Sequence, residues 1–261
     1  MHEFPIWDLG HGLQVDIAGV LTILVACIIV FVLARLSVRN LSVTHPSKMQ
    51  NFMEWVVEFV RDMVASTQDL KTGKKYVSLA MTLIMFIFVS NLLGLPLLIT
   101  TEHHHPLVVA GHTLVSQEVI DEAIQKGHEG AEVSWWKSPT ADLSVTAGLA
   151  LIVTVIIHLH GVTRNTKHYL KHYFEPYFFF FPLNLLETLA KPLTLALRLF
   201  ANIFAGEVLI STITMAGFFG IPLMLAWQGF SIFVGAIQAF LFTILTLVYI
   251  AQATVHEEEH A

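Results

Sequence analysis

One of the most apolar stretches of this sequence, residues 187–207 (ETLAKPLTLALRLFANIFAGE), carries five side chains able to do electrostatic or proton chemistry: Glu187, Lys191, Arg198, Asn202 and Glu207. An arginine in bilayer hydrocarbon costs at least ~2.5–3.5 kcal/mol, so its presence there points to a use. Arg198 does not deprotonate and cannot carry a proton. It can attract a carboxylate on a partner, or repel a cation and so block a leak. Glu207, a titratable group in a low-dielectric setting, can hand protons on. The combination suggests ion movement.

At about 100° per residue, Glu187, Lys191, Thr194, Arg198 and Asn202 fall within roughly 40° of Arg198 and form one polar stripe if the helix continues through Pro192. Glu207 points to the opposite side, ~13 Å along the axis, so the two are not a simple i, i+4 ion pair. On the last apolar segment Ser231, Gln238, Tyr249 and Gln252 lie within roughly 40° of Gln238, in a stripe broken by Leu245 and flanked by Phe242. An antiparallel hairpin would let the two polar faces meet, with Gln238 as a neighbour for Arg198. The plainer alternative for Asn202 and Gln238 is hydrogen-bonding glue between packed helices.

The elements that must position these groups are membrane spans. The 261 residues are 55% hydrophobic and 13% charged, with a mean hydropathy of +0.67. Soluble domains are about 25% charged, so composition alone indicates an integral membrane protein. A net charge of −6 favours no nucleic acid. The single cysteine, Cys27, excludes an intrachain disulfide and a thiolate metal cluster. Residues 1–16 contain Glu3, Asp8 and Asp16 and no basic n-region, so they are not expected to be a cleaved signal.

The expected fold is an all-α polytopic membrane protein, a single membrane domain over 1–261. It has three regular transmembrane helices (17–36, 76–100 and 141–162), one interfacial amphipathic helix (50–68) and a long, steeply tilted C-terminal helical hairpin (183–254). Arg35, Arg39 and Lys48 follow the first span, whereas Asp8 and Asp16 precede it. The positive-inside rule then puts the N-terminus outside and the C-terminus in the cytoplasm. In 50–68, Phe52, Trp55, Val56, Phe59, Val60 and Met63 recur at helical spacing, and the segment is too polar to span, which places it flat on the cytoplasmic interface. Pro96 should loosen the outer end of the second span. Residues 101–139 form an acidic external loop rich in histidine. His103, His104, His105, His112 and His128 invite a metal reading, but such a run in a polar loop is more simply adventitious, and no metal site is expected. Asp142 falls in the first turn of the third span, where a carboxylate favours a helix N-terminus. It is an equal candidate for channel lining. His158 and His160 read as interfacial polar residues. The hairpin segments exceed what a bilayer requires, even with a helix break at Pro192. The tail HEEEHA is expected to be solvated.

The segment Leu195–Asn202 (LALRLFAN) with Ala205-Gly206-Glu207 closely resembles the signature of subunit a of bacterial F-type, H⁺-transporting ATP synthases. So do Asn91–Pro96 (NLLGLP), Pro139–Thr146 (PTADLSVT) and Gln238–Thr243 (QAFLFT) leading to Tyr249. The order and spacing of the resemblance cover nearly the whole chain, from Gly19 to Tyr249. The resemblance implies a proton-channel stator subunit in the bacterial plasma membrane. Its partners would be a c ring, the b subunits of a peripheral stalk, membrane lipid and transported H⁺. It implies that Arg198 separates two half-channels and that Glu207 belongs to the outer one. Asn202 and Gln238 would line the path, and Glu187, Lys191, Ser231, Tyr249, Gln252 and Asp142 are further channel-lining candidates. It also implies a non-catalytic chain without cofactor, and no phosphate-binding Gly-rich loop is present in the sequence. Ser231 stands where some members of that family have a histidine paired with the channel glutamate, and Ala201 where glycine is common. The rival reading is a stand-alone secondary transporter or metal-ion carrier, which should show internal repeats and paired broken helices; the sequence shows neither. An intramembrane protease is remote, since G-x-S-x-G and H-E-x-x-H are missing.

Overall fold

The computed structural model describes residues 5–8, 14–95, 100–109, 112–125, 130–172, 174 and 177–254. Pro96, His128 and the acidic tail lie outside them. Helices dominate, and five are long and apolar enough to cross a membrane.

Strands β1 (Ile6–Asp8) and β2 (Gln14–Asp16) pair antiparallel and lead into helix α1 (Ile17–Ser37). Asp16 caps that helix, its carboxylate accepting from the Gly19 N–H at 3.1 Å. Helix α1 is apolar all round and leaves Leu24, Ile28 and Phe31 more than half exposed, the pattern of a helix facing lipid.

Helix α2 (Lys48–Thr67) begins at Ser47, whose hydroxyl accepts from the Gln50 N–H at 3.1 Å. Its apolar residues are divided. Met53, Val56, Val60, Met63 and Val64 are buried in the bundle core with Ala80, Leu247 and Ile250, while Phe52, Trp55 and Phe59 stay exposed. The helix therefore seals the bundle with one row of side chains and presents a second row outward.

A short turn, α3 (Leu70–Gly73), leads to α4 (Val77–Leu93). The second span was expected over 76–100, but its helix stops at Leu93. Helix α4 packs most extensively on the last helix, and buries Ser90 and Asn91 within its apolar length.

Residues 100–134 depart most from expectation. In place of a plain loop they form β3 (Thr100–His103), β4 (Leu107–Val109), β5 (His112–Val115), helix α5 (Gln117–Gln125) and β6 (Ala131–Ser134). β3 pairs with β6, and β4 with β5, all antiparallel. Val115, Ile120, Ala131 and Val133 form a separate small core beneath them. Short alternating stretches inside an acidic, histidine-rich composition carry little periodic signal, which is why the strands escape a sequence reading.

A 3-10 turn (Pro139–Ala141) precedes α6 (Leu143–His172). Helices α7 (Phe181–Thr214) and α8 (Gly220–Thr254) follow as a hairpin. Its connection includes Gly217 at φ +58°, a left-handed conformation that glycine adopts without strain. The break expected at Pro192 does not occur: α7 runs through it unbroken. Proline is tolerated inside membrane helices where neighbouring groups take up the freed backbone acceptors. At ~1.5 Å per residue the 34 and 35 residues of α7 and α8 span about 50 Å, well beyond a hydrocarbon core of about 30 Å. A second core, Leu83, Ile87, Val153, Leu195, Leu199, Ala239 and Phe242, joins α4, α6, α7 and α8 at the middle of the molecule.

Candidate functional site

Leu195 and Leu199 anchor α7 in that central core, with Ala196 buried beside them, and this fixes what the residues between them do. Arg198 is turned out and exposed. Among the described residues it makes no ion pair, and no hydrogen bond joins it to Gln238. Gln238 is itself 5% exposed in the packed face of α8. The surface around Arg198 is apolar, with Leu193 and Leu197 exposed on α7 and Phe233 and Ile237 on α8.

Toward the end of the bundle that carries β3–β6, a cavity of about 280 Å³ opens between α4, α7 and α8. It is lined by Asn91, Gly94, Asn202, Glu207, Trp227 and Ser231, among others, and Arg198 is not in its wall. The structure thus brings Asn202, Glu207 and Ser231 together from two helices. The Glu207 carboxylate accepts from the backbone N–H of Ser138 at 3.1 Å. Asn91 donates to the Gly235 carbonyl at 2.9 Å and accepts from the Thr140 hydroxyl at 2.7 Å. Glu207 and Asn91 are thus each met by groups from other elements, as polar side chains in an apolar interior demand. The Gln228 amide donates to the Leu95 carbonyl at 3.2 Å beside the cavity.

Just outside the spans, Lys137 bridges two carboxylates. It pairs with Asp16 at the start of α1 and with Asp142 at 2.8 Å, its own side chain 9% exposed. Burial opposes the charge on Lys137, but the hydrogen bonds and attraction of Asp142 and Asp16 outweigh it and hold the ammonium above its ordinary value. Burial likewise opposes ionised Asp142, but Lys137 and the Ser144 N–H outweigh it and hold the carboxyl below the usual range. Asp142 therefore sits before α6, capping it through Ser144, and away from the cavity wall.

At the other end of α7, Lys191 pairs with Glu187 at 3.0 Å across one helical turn. The same ammonium stands 5.5 Å from the centre of the Tyr249 ring. Glu187, Lys191 and Tyr249 form a second polar cluster, while Gln252 is exposed beyond it. His158 and His160 each place Nδ1 within 2.9 Å of a carbonyl of their own helix, one turn back. His103 Nε2 lies 2.8 Å from the Thr101 hydroxyl, which also accepts from the Trp135 indole. Among the described residues, no three metal-ligating side chains cluster.

Residues 20–251 match the family model described as ATP synthase A chain. That decides the family. The chain belongs to the ATP synthase A chain family. It is 45% identical over 258 residues to ATP synthase subunit a of Lysinibacillus sphaericus, covering 96% of each chain. It is 42% identical to the Bacillus subtilis subunit a, over 94% of this chain and 95% of the relative. With the Listeria monocytogenes protein of the same name it shares 42% identity over 99% of both. The cavity and the Glu187–Lys191–Tyr249 cluster are therefore features of an ATP synthase A chain family member with multiple membrane-spanning helices.

Glu207, Asn202 and Ser231 were legible in the sequence, but what closes around them was not. Asn91 carried a signal, being an amide in the later half of an apolar span. Trp227 and Gly94 carried none. Ser138 contributes its main chain, which side-chain identity does not report.

Proposed function

We propose that this chain is the proton-channel stator subunit of a rotary ATP synthase. It provides two half-channels to a c ring, with Arg198 separating them and coupling proton translocation to ring rotation. The observation that carries this reading is the position of Arg198. It is a permanent cation without a partner among the described residues, exposed on an apolar face and flanked along one helix by two polar clusters. Such a charge in a membrane calls for a counter-charge from outside the chain. A carboxylate passing on a ring would supply it transiently, and the arginine would favour release of that carboxylate's proton by stabilising its ionised form.

In this reading the Glu207 cavity is the outer half-channel, with Asn202 and Ser231 in its wall. The Glu187–Lys191–Tyr249 cluster, with Gln252, opens to the cytoplasmic side, and Gln238 backs the helix opposite Arg198. The length of α7 and α8 supports a hairpin lying steeply tilted along the ring. The N-terminus is outside and the C-terminus in the cytoplasm of a bacterial cell. The b subunits of the stalk hold the chain against rotation. The chain itself performs no covalent chemistry, and nucleotide turnover belongs to other subunits.

The test is ATP-driven acidification of proteoliposomes by the assembled complex carrying Arg198→Ala. Pumping should vanish while ATP hydrolysis by the detached head continues. Normal pumping by Arg198→Ala would refute the proposal.

A further inference from the structure

The segment from Trp135 to Asp142 returns the chain to the membrane with no regular structure except the 3-10 turn at Pro139–Ala141. Yet it is tied down at almost every residue. The Trp136 indole donates to the Leu93 carbonyl at 2.7 Å, and Lys137 is held between Asp16 and Asp142. The Ser138 hydroxyl donates to the Ser90 carbonyl at 2.9 Å and lies 2.8 Å from that of Thr140. Thr140 then reaches Asn91, which is itself fixed on Gly235 of α8. Both Ser138 and Thr140 are fully buried. Gly94 admits the strap: a Cβ there would lie 2.6 Å from the Ser138 Cβ.

One group on this strap reaches the cavity glutamate, the Ser138 N–H at 3.1 Å from Glu207 Oε1. We propose that Ser138, through its backbone N–H, is a positioning residue for Glu207, and that the Ser138–Thr140–Asn91 network holds that donor in place. The inference rests on the channel reading of Glu207 given above. A glutamate on a helix facing an open cavity has three free torsions, and fixing them limits where its proton can be delivered. A backbone amide suits the task because it neither gives up nor takes a proton over the working pH range. It orients the carboxylate without competing for its cargo. A carboxylate–amide hydrogen bond is also among the stronger neutral-donor contacts. The charged group facing Glu207 is Lys137 on the strap, itself paired with Asp16 and Asp142.

Proline tests the donor directly. Ser138 sits at φ −63° and ψ 132°, values proline adopts, so Ser138→Pro removes the N–H without changing the path of the backbone. Ser138→Ala removes the hydroxyl and keeps the N–H. The complete ATP synthase carrying each variant is reconstituted in proteoliposomes, and the initial rate of ATP-driven pumping is read across pH. Ser138→Ala loosens the network but keeps the donor and should lose less than Ser138→Pro, which should fall about tenfold and displace the pH midpoint further, the loss expected for one hydrogen bond to a charged group. If Ser138→Pro does not assemble, Thr140→Val should show the displaced midpoint and Thr140→Ser should restore it. The inference is overturned if an assembled Ser138→Pro complex matches Ser138→Ala in rate and midpoint. Failing assembly, it is overturned if Thr140→Val matches the parent. Glu207→Gln separates the two levels. Parental pumping by that variant removes the channel reading itself, whereas slow Glu207→Gln with parental Ser138→Pro removes only the positioning role.

Discussion

The two ends of α7 handle a glutamate in opposite ways. At one end Glu187 is 62% exposed in its side chain and neutralised by Lys191 one turn away. At the other, Glu207 faces a cavity and is met by a neutral main-chain donor on a strap pinned from three helices. The first arrangement needs only the local geometry of one helix, and solvent screens it. The second depends on groups distant in sequence: Ser138 is 69 residues from Glu207, and Gly235 is 144 from Asn91. A carboxylate meant to gain and lose a proton is served by a dipole that holds it in place. A fixed cation beside it would lock it ionised. On the proposed reading the cavity end holds the carrier, and the other end is a solvated rim.

The largest expected effect lies between the two ends. Arg198→Ala should abolish coupled pumping, a loss of at least about a hundredfold if the arginine supplies several kcal/mol of charge stabilisation. Vesicle acidification reads it. Residual coupled pumping at about a tenth of the parent rate would mean that the two ends are kept apart by something other than this charge.

Next comes Glu207→Gln, which should slow passive proton conduction through the assembled complex by roughly tenfold or more, as for loss of one proton-transfer group. Glu187→Gln, the matched change at the other end, should leave conduction within about threefold. Equal losses at both ends would erase the contrast.

The Lys137 bridge sets a smaller, structural effect. Lys137→Met should destabilise the chain by about 1–3 kcal/mol, between the values for exposed and buried pairs. Thermal unfolding in detergent measures it. The pH dependence has two limits. Lys137 is raised in the folded state, so its contribution is complete below the unfolded value near 10.4 and is lost as pH rises through the folded value. Asp142 is lowered, so its contribution is complete above the unfolded value near 3.9 and is lost as pH falls through the folded value. Lys137→Met should therefore be most costly between about pH 4 and pH 10 and nearly silent once Asp142 is protonated in the folded state. A cost that persists at about pH 2 would make the bridge a packing contact.

The smallest effect belongs to Lys191→Ala. It removes an i, i+4 pair on a partly exposed face and should cost only about 0.3–0.5 kcal/mol, read from the same unfolding measurement. A loss above ~2 kcal/mol would place that cluster among the buried networks and weaken the comparison from its solvated side.

Much of this organisation is legible in the order of the amino acids. Long apolar runs mark the spans because a bilayer accepts little else, and charges inside them stand out because each is costly. Helical phase separates Arg198 from Glu207, and in the structure only Glu207 lines the cavity. The helix carrying both also continues past Pro192 without a break. What escapes are features with no periodic or compositional mark. The strands of 100–134 are short and sit in an acidic, histidine-rich stretch, α2 divides its apolar residues between core and surface, and Ser138 meets Glu207 through an atom every residue but proline has.

Composition and apolar runs already mark a multi-span membrane protein and the side chains that are costly within it. Those follow from transfer free energies and the 3.6-residue period, both local properties. Only the tertiary structure decided which polar groups meet. The Asn91–Gly235 bond, the contact of the strap with Glu207 and the exposure of Arg198 arise where several helices pack at once. No single stretch of sequence encodes that coincidence. Helical phase says which way Glu207 points, and packing decides that the group it meets is a main-chain N–H.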